Sequence, residues 1–236
     1  MKLTRNFSGK DSVIDLIRED YNILQILSRF NIPLGFQSKR IEDICNENGI
    51  DTNVFLFIVN FILSGKIDSE RLAVVSPVAI VDFLHNSHDY FLKYKFPHIR
   101  QNLVTALEES HSDINSAIIA FFDSYMGEVK KHFNYEEKRV FPYIRALVNG
   151  DHSDYNINLF KRHHDEIGEK LTELKNIILR FYTTSMPNKM YDVLIDLYNA
   201  EEDLDSHNDI ENHILIPLIT MIERNYRLKP DNREEK

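Results

Sequence analysis

Glu128-Val-Lys-Lys-His132-Phe-Asn-Tyr-Glu136-Glu-Lys-Arg-Val-Phe-Pro142 is echoed further along by Asp203-Leu-Asp-Ser-His207-Asn-Asp-Ile-Glu211-Asn-His-Ile-Leu-Ile-Pro217. Each copy spaces carboxylate, imidazole and carboxylate four residues apart. Each closes with a proline at the same offset from its histidine. On a helix, side chains four apart share one face, about 6 Å from each other. Each copy therefore aims a histidine and a glutamate at one point, with a second carboxylate a turn behind. Such a pattern can hold a metal, and two copies suggest two metals or one paired centre.

The bulk of the chain fits helices around that pattern. Only 7 glycines and 7 prolines occur among 236 residues, which favours long helices over turn-rich sheets. The spacing predicts four long helices, over about 77–109, 113–148, 153–182 and 187–225. Pro97 is expected to bend the first, and Asn149-Gly150 to stop the second. Short connections make neighbours antiparallel, so the expectation is an all-α, up-down four-helix bundle over 76–225. Residues 1–70 read as a small helical N-terminal domain. Val13, Ile14, Ile17, Tyr21, Leu24 and Leu27 give a helical period across 11–30. Shorter helices follow over about 39–48 and 52–63. Residues 226–236 read as a charged tail.

Charge excludes some functions. With 28 basic against 37 acidic residues, the net charge is −9. An acidic chain is a poor partner for nucleic acid, although three short N-terminal helices match a DNA-binding fold in outline. No apolar run approaches the ~20 residues needed to cross a bilayer, and the N-terminus has no signal-peptide core, so the cytoplasm is the expected location. A single cysteine, Cys45, rules out an internal disulfide and an all-thiolate metal site.

All ten histidines lie between His85 and His213. Helical spacing places one inward on each long helix: His88, His132, His164 and His207. His85 competes with His88 for the first of these places, while His163 and His213 fall on solvent faces. Two helices add an inward carboxylate, Glu136 and Glu211. A single inward histidine is more often an ordinary core residue than a ligand. Six such groups in one core would each cost several kcal/mol if left without partners (about 2–7), and a metal centre explains them together. Imidazole and carboxylate without thiolate suit iron, manganese or zinc. Two bridging carboxylates and four terminal imidazoles would give each of two metals two nitrogens and two oxygens. An added oxo or hydroxo bridge would still leave a position open to a small molecule. Glu128 and Asp203 are read either as outer partners that orient ligands or as part of a solvated face.

At these residues the chain resembles hemerythrin-like domains, which carry H-x-x-x-E signatures like His132…Glu136 and His207…Glu211. The stretch His164-Asp-Glu-Ile-Gly-Glu resembles the H-D-E-x-G-E of one branch, the di-iron proteins for repair of iron centres (RIC). The resemblance covers about 76–222. It implies a non-haem di-iron centre held by His88, His132, Glu136, His164, His207 and Glu211, with the glutamates bridging. That branch also has an N-terminal cysteine pair. Here Leu34, Gly35 and Phe36, within Ser28–Lys39, stand where the pair would be. The function implied is nitrosative or oxidative stress response, by repair of iron-sulfur centres or by handling nitric oxide. The alternative is a module that binds or senses O2 or NO reversibly, with the N-terminal helices passing the signal on. Implied partners are a diatomic ligand and iron-sulfur proteins, without nucleic acid or membrane. A homodimer is one of the assemblies the reading allows.

Overall fold

The computed structural model describes residues 6–107, 112–151, 153–163, 169–183 and 187–228. Every regular element among them is helical. The N-terminal region forms α1 Val13–Glu19, α2 Ile23–Arg29, α3 Ile41–Glu47, α4 Thr52–Ser64 and α5 Ser69–Leu72. The single helix expected over 11–30 is thus two. Asp20 is extended, and its side chain accepts the Asn22 N–H at 2.9 Å, a local turn that competes with the helix. The predicted apolar stripe shifts with the break. Tyr21 and Leu24 face solvent, while Leu16, Ile23 and Ile26 are buried. Caps set the other boundaries: Asp51 accepts the Asn53 N–H at 2.8 Å, and Gly65 ends α4 in the left-handed region at φ 67°.

The first long stretch comprises α6 Pro77–Tyr90, a π turn Phe91–Lys95 and α7 Phe96–Ala106. The second comprises α8 Ser112–Tyr135, a π turn Glu136–Val140 and α9 Phe141–Val148. The third gives α10 Ile157–His163 and α11 Glu169–Phe181. The fourth gives α12 Pro187–Ile210, a π turn Glu211–Leu215 and α13 Ile216–Leu228. The π turns share one cause. Pro97, Pro142 and Pro217 each follow directly on the residue that closes a turn, where Phe96, Phe141 and Ile216 donate to the carbonyls of Phe91, Glu136 and Glu211. Proline brings no N–H and its ring crowds the carbonyl four residues back. A wider i→i+5 turn relieves that clash without ending the helix. The strain expected as a bend at Pro97 is taken up in this way.

Contacts divide the chain into two compact units. One contains Met1–Asn86, Pro142–Lys161 and Asp209–Lys236; the other contains Ser87–Phe141 and Arg162–Asn208. In the first, the Phe30 ring packs on Phe55 and Phe83 at 5.3 and 5.0 Å, and Asn86 donates to the Arg29 carbonyl at 2.7 Å, so α2, α4 and α6 share a core. Buried Glu223 of α13 accepts the Tyr143 hydroxyl at 2.5 Å and the Ile157 N–H at 2.7 Å, tying α9 and the start of α10 to α13. Glu223→Ala should leave both donors without their acceptor and lower stability by about 2–3 kcal/mol. Glu223→Gln, which keeps an acceptor, should lose less. Chemical denaturation of both variants checks this.

The second unit is a closed ring of helices. Arg100 and Asp123 link α7 to α8 at 2.7 Å, and Lys170 and Glu128 link α11 to α8. Lys175 and Glu201 link α11 to α12, and Asp196 returns to Lys95 of the first π turn at 3.0 Å. Thr172 also bonds Glu201, while Lys175 lies 3.9 Å over the Tyr198 ring, so α11 and α12 run antiparallel. Inside the ring, Phe91, Phe96, Ile99, Phe122, Phe133, Leu174, Val193 and Leu204 form a continuous apolar core.

Candidate metal centre

His88 lies near the end of α6, His132 in the last turn of α8 and His207 in the last turn of α12. Glu136 and Glu211 are the first residues of their π turns. Helical spacing carries each histidine–glutamate pair to the bundle interior. Proline sets the turn on which each glutamate sits.

His88, Glu136, His207 and Glu211 each offer a ligand atom, and these atoms all lie within 4.8 Å of one another. All four side chains are buried, the two glutamates at 0% exposure. The two oxygens of Glu136 face different histidines: Oε2 is 2.9 Å from His88 Nε2, and Oε1 is 2.7 Å from His132 Nε2. One carboxylate is thus presented to two imidazoles. His132 thus stands beside the group of four. His85 is exposed on α6 while His88 is buried, so of these competitors only His88 faces the cluster. His164, with the rest of the His164-Asp-Glu-Ile-Gly stretch, lies outside the described residues.

Aromatic rings fix the imidazoles. His88 is stacked between Phe133, at 4.0 Å and 17°, and Phe141, at 5.3 Å and 9°. His207 lies 5.3 Å from Phe133 and edge-on to Phe91 at 6.3 Å. This shell excludes water and lowers the local dielectric, which strengthens electrostatic attraction between buried carboxylates and a cation. Tyr125 lies two turns before His132 and is also buried. Burial, first, and the nearby charges of Glu201 and Asp205 push its phenol well above the usual range, so it stays neutral.

The carboxylates one turn before the histidines separate in the structure. Glu128 is half-buried and pairs with Lys170, away from the cluster. Asp203 is buried at 3% exposure. A contact that the sequence did not reveal is His88 Nδ1 to Glu137 Oε1 at 2.7 Å. Sequence spacing offered no signal for it, because Glu137 reads as one more charge beside Lys138 and Arg139 and its partner lies on another helix.

The donor set suits a transition metal. Two carboxylates buried in an apolar shell call for positive charge, and two imidazoles supply neutral nitrogen. His88 Nε2 is buried, 2.9 Å from Glu136, yet makes no hydrogen bond. A lone pair there can be directed at an ion. The structure therefore defines a class: helical proteins with a buried imidazole–carboxylate cluster that can hold a metal. The hemerythrin HHE cation binding domain matches residues 79–219, and the chain belongs to that family. Its fold is accordingly all-α and hemerythrin-like, with additional helices ahead of the matched region. No curated protein matches the chain. Among the described residues, no helix is long and apolar enough to cross a membrane.

Proposed function

We propose that the chain is a non-haem di-iron protein that takes O2 or nitric oxide and serves in nitrosative or oxidative stress. The observation carrying this reading is the cluster of His88, Glu136, His207 and Glu211, buried within 4.8 Å and walled by aromatic rings. In this reading His88, His132, His164 and His207 are terminal ligands, and Glu136 and Glu211 bridge. A bound iron pair would supply redox chemistry at a position open to a diatomic molecule. The chain's own part is to hold the two carboxylates dry, to face the two Glu136 oxygens toward different histidines, and to fix the His88 ring between Phe133 and Phe141.

The repair-of-iron-centres branch is the more specific version of the proposal. It rests on the likeness of His164-Asp-Glu-Ile-Gly-Glu169 to that branch. Thiol chemistry is not part of it. Cys45 is fully buried, and burial pushes its thiol up to about 11, so the reactive thiolate is scarce near neutral pH. The second reading, a reversible sensor, is favoured by the N-terminal helices, which share a core with α6 through Phe30 and Phe83. A small helical domain over 1–70 would then be the interaction part.

Anaerobically reduced, iron-loaded protein mixed with substoichiometric nitric oxide separates the readings. Continued release of nitrous oxide, measured by gas chromatography with excess reductant, supports turnover. A lasting adduct without that product supports the sensor. Absence of both outcomes would remove the diatomic-ligand proposal.

A further inference from the structure

We infer that Glu137 is a positioning residue that fixes the proton of His88 and thereby sets how tightly the centre holds its metal; the inference rests on the metal reading of the site. Both nitrogens of the His88 ring face carboxylates from neighbouring positions in the chain. Nδ1 is 2.7 Å from Glu137 Oε1, and Nε2 is 2.9 Å from Glu136 Oε2. A neutral imidazole carries one N–H. If Nδ1–H donates to Glu137, the lone pair of Nε2 is left for the cluster, and the acceptor's negative charge makes that lone pair more basic.

In a regular helix, adjacent side chains point about 100° apart. Glu136 and Glu137 are the first two residues of the π turn that closes before Pro142. The wider turn, with more residues per turn, sets successive side chains somewhat closer in direction, and both carboxylates reach the same imidazole. They do so at different depths. Glu136 is fully buried, while the Glu137 side chain is 31% exposed at the rim. Phe133 and Phe141 already hold the plane of the ring. What the aromatic clamp cannot choose is which nitrogen bears the proton. Glu137 makes that choice.

The test compares the parent chain with Glu137→Ala and Glu137→Gln, each loaded with ferrous iron under argon. Glutamine keeps an oxygen that can accept from Nδ1–H. Iron retention is measured against a competing chelator, and the melting temperature is measured on metal-free protein. The expected result is retention weakened about 10–100-fold in the alanine variant. The glutamine variant should stay close to the parent in retention and in metal-free melting temperature, and the alanine variant should lose more retention than any fall in its metal-free melting temperature accounts for. The inference is overturned if the alanine variant keeps iron like the parent, or if glutamine loses as much as alanine. A parent chain that binds no iron would instead sink the metal reading itself, and with it this role, before any variant is compared.

Discussion

Glu136→Gln should strip metal from the chain and, in the same protein, make the metal-free form more stable. The two effects have one origin. Glu136 and Glu211 are both fully buried, and each has an oxygen within the same 4.8 Å cluster. Without a cation, two nearby carboxylates in an apolar shell carry a desolvation cost that neutral imidazoles offset only in part. A neutral amide of the same size removes one of those charges. The gain expected for the metal-free chain is about 1–3 kcal/mol, a rise of roughly 2–10 °C in melting temperature. The loaded protein should change in the opposite sense, because an amide cannot supply the negative oxygens that Glu136 turns toward His88 and His132. Metal analysis and calorimetry with and without chelator check both halves. A variant with parental metal content and parental metal-free stability contradicts the assignment of Glu136.

Phe133→Ala should be the most damaging change to the site that leaves every candidate ligand in place. Phe133 is 1% exposed, and its ring packs on His88, His207 and Phe91. Truncating a buried phenylalanine costs about 3–5 kcal/mol through lost burial and the cavity left behind. Here the cavity opens beside two imidazoles, so both rings gain freedom and water gains access. Lower stability and faster loss of metal to chelator should appear together. Phe133→Leu, which refills much of the volume without stacking, should recover more stability than metal retention. Equal recovery of both would show that Phe133 acts on the site only as core packing.

The pattern of the sequence carried the long helices and most of the site for a physical reason. His132 with Glu136, and His207 with Glu211, sit on single helices, where four-residue spacing alone puts both groups on one face. His88 has no carboxylate partner at that spacing. Its place came from the apolar stripe of Leu84, Phe91 and their neighbours, and it is buried where its competitor His85 is exposed. Contacts between helices were not readable. Glu137 meets His88 across 49 positions of sequence, and Glu223 meets Tyr143 across 80. The shared offset of Pro142 and Pro217 from their histidines coincides with the π turns, which the four-residue spacing alone does not distinguish from regular helix. Across 11–30, Tyr21 and Leu24 fit a helical period without being core. Asp20 offered its own backbone a turn, and both side chains ended in solvent.

The proposed function requires a pair of iron ions at the cluster of His88, Glu136, His207 and Glu211. Crystals of protein expressed with ample iron, measured on either side of the iron absorption edge, test it most directly. The expected result is two anomalous peaks about 3.5–4 Å apart, one beside His88 and His207 and one beside His132, with Glu136 and Glu211 between them. No peak at these side chains, or a peak only at the surface, would contradict it.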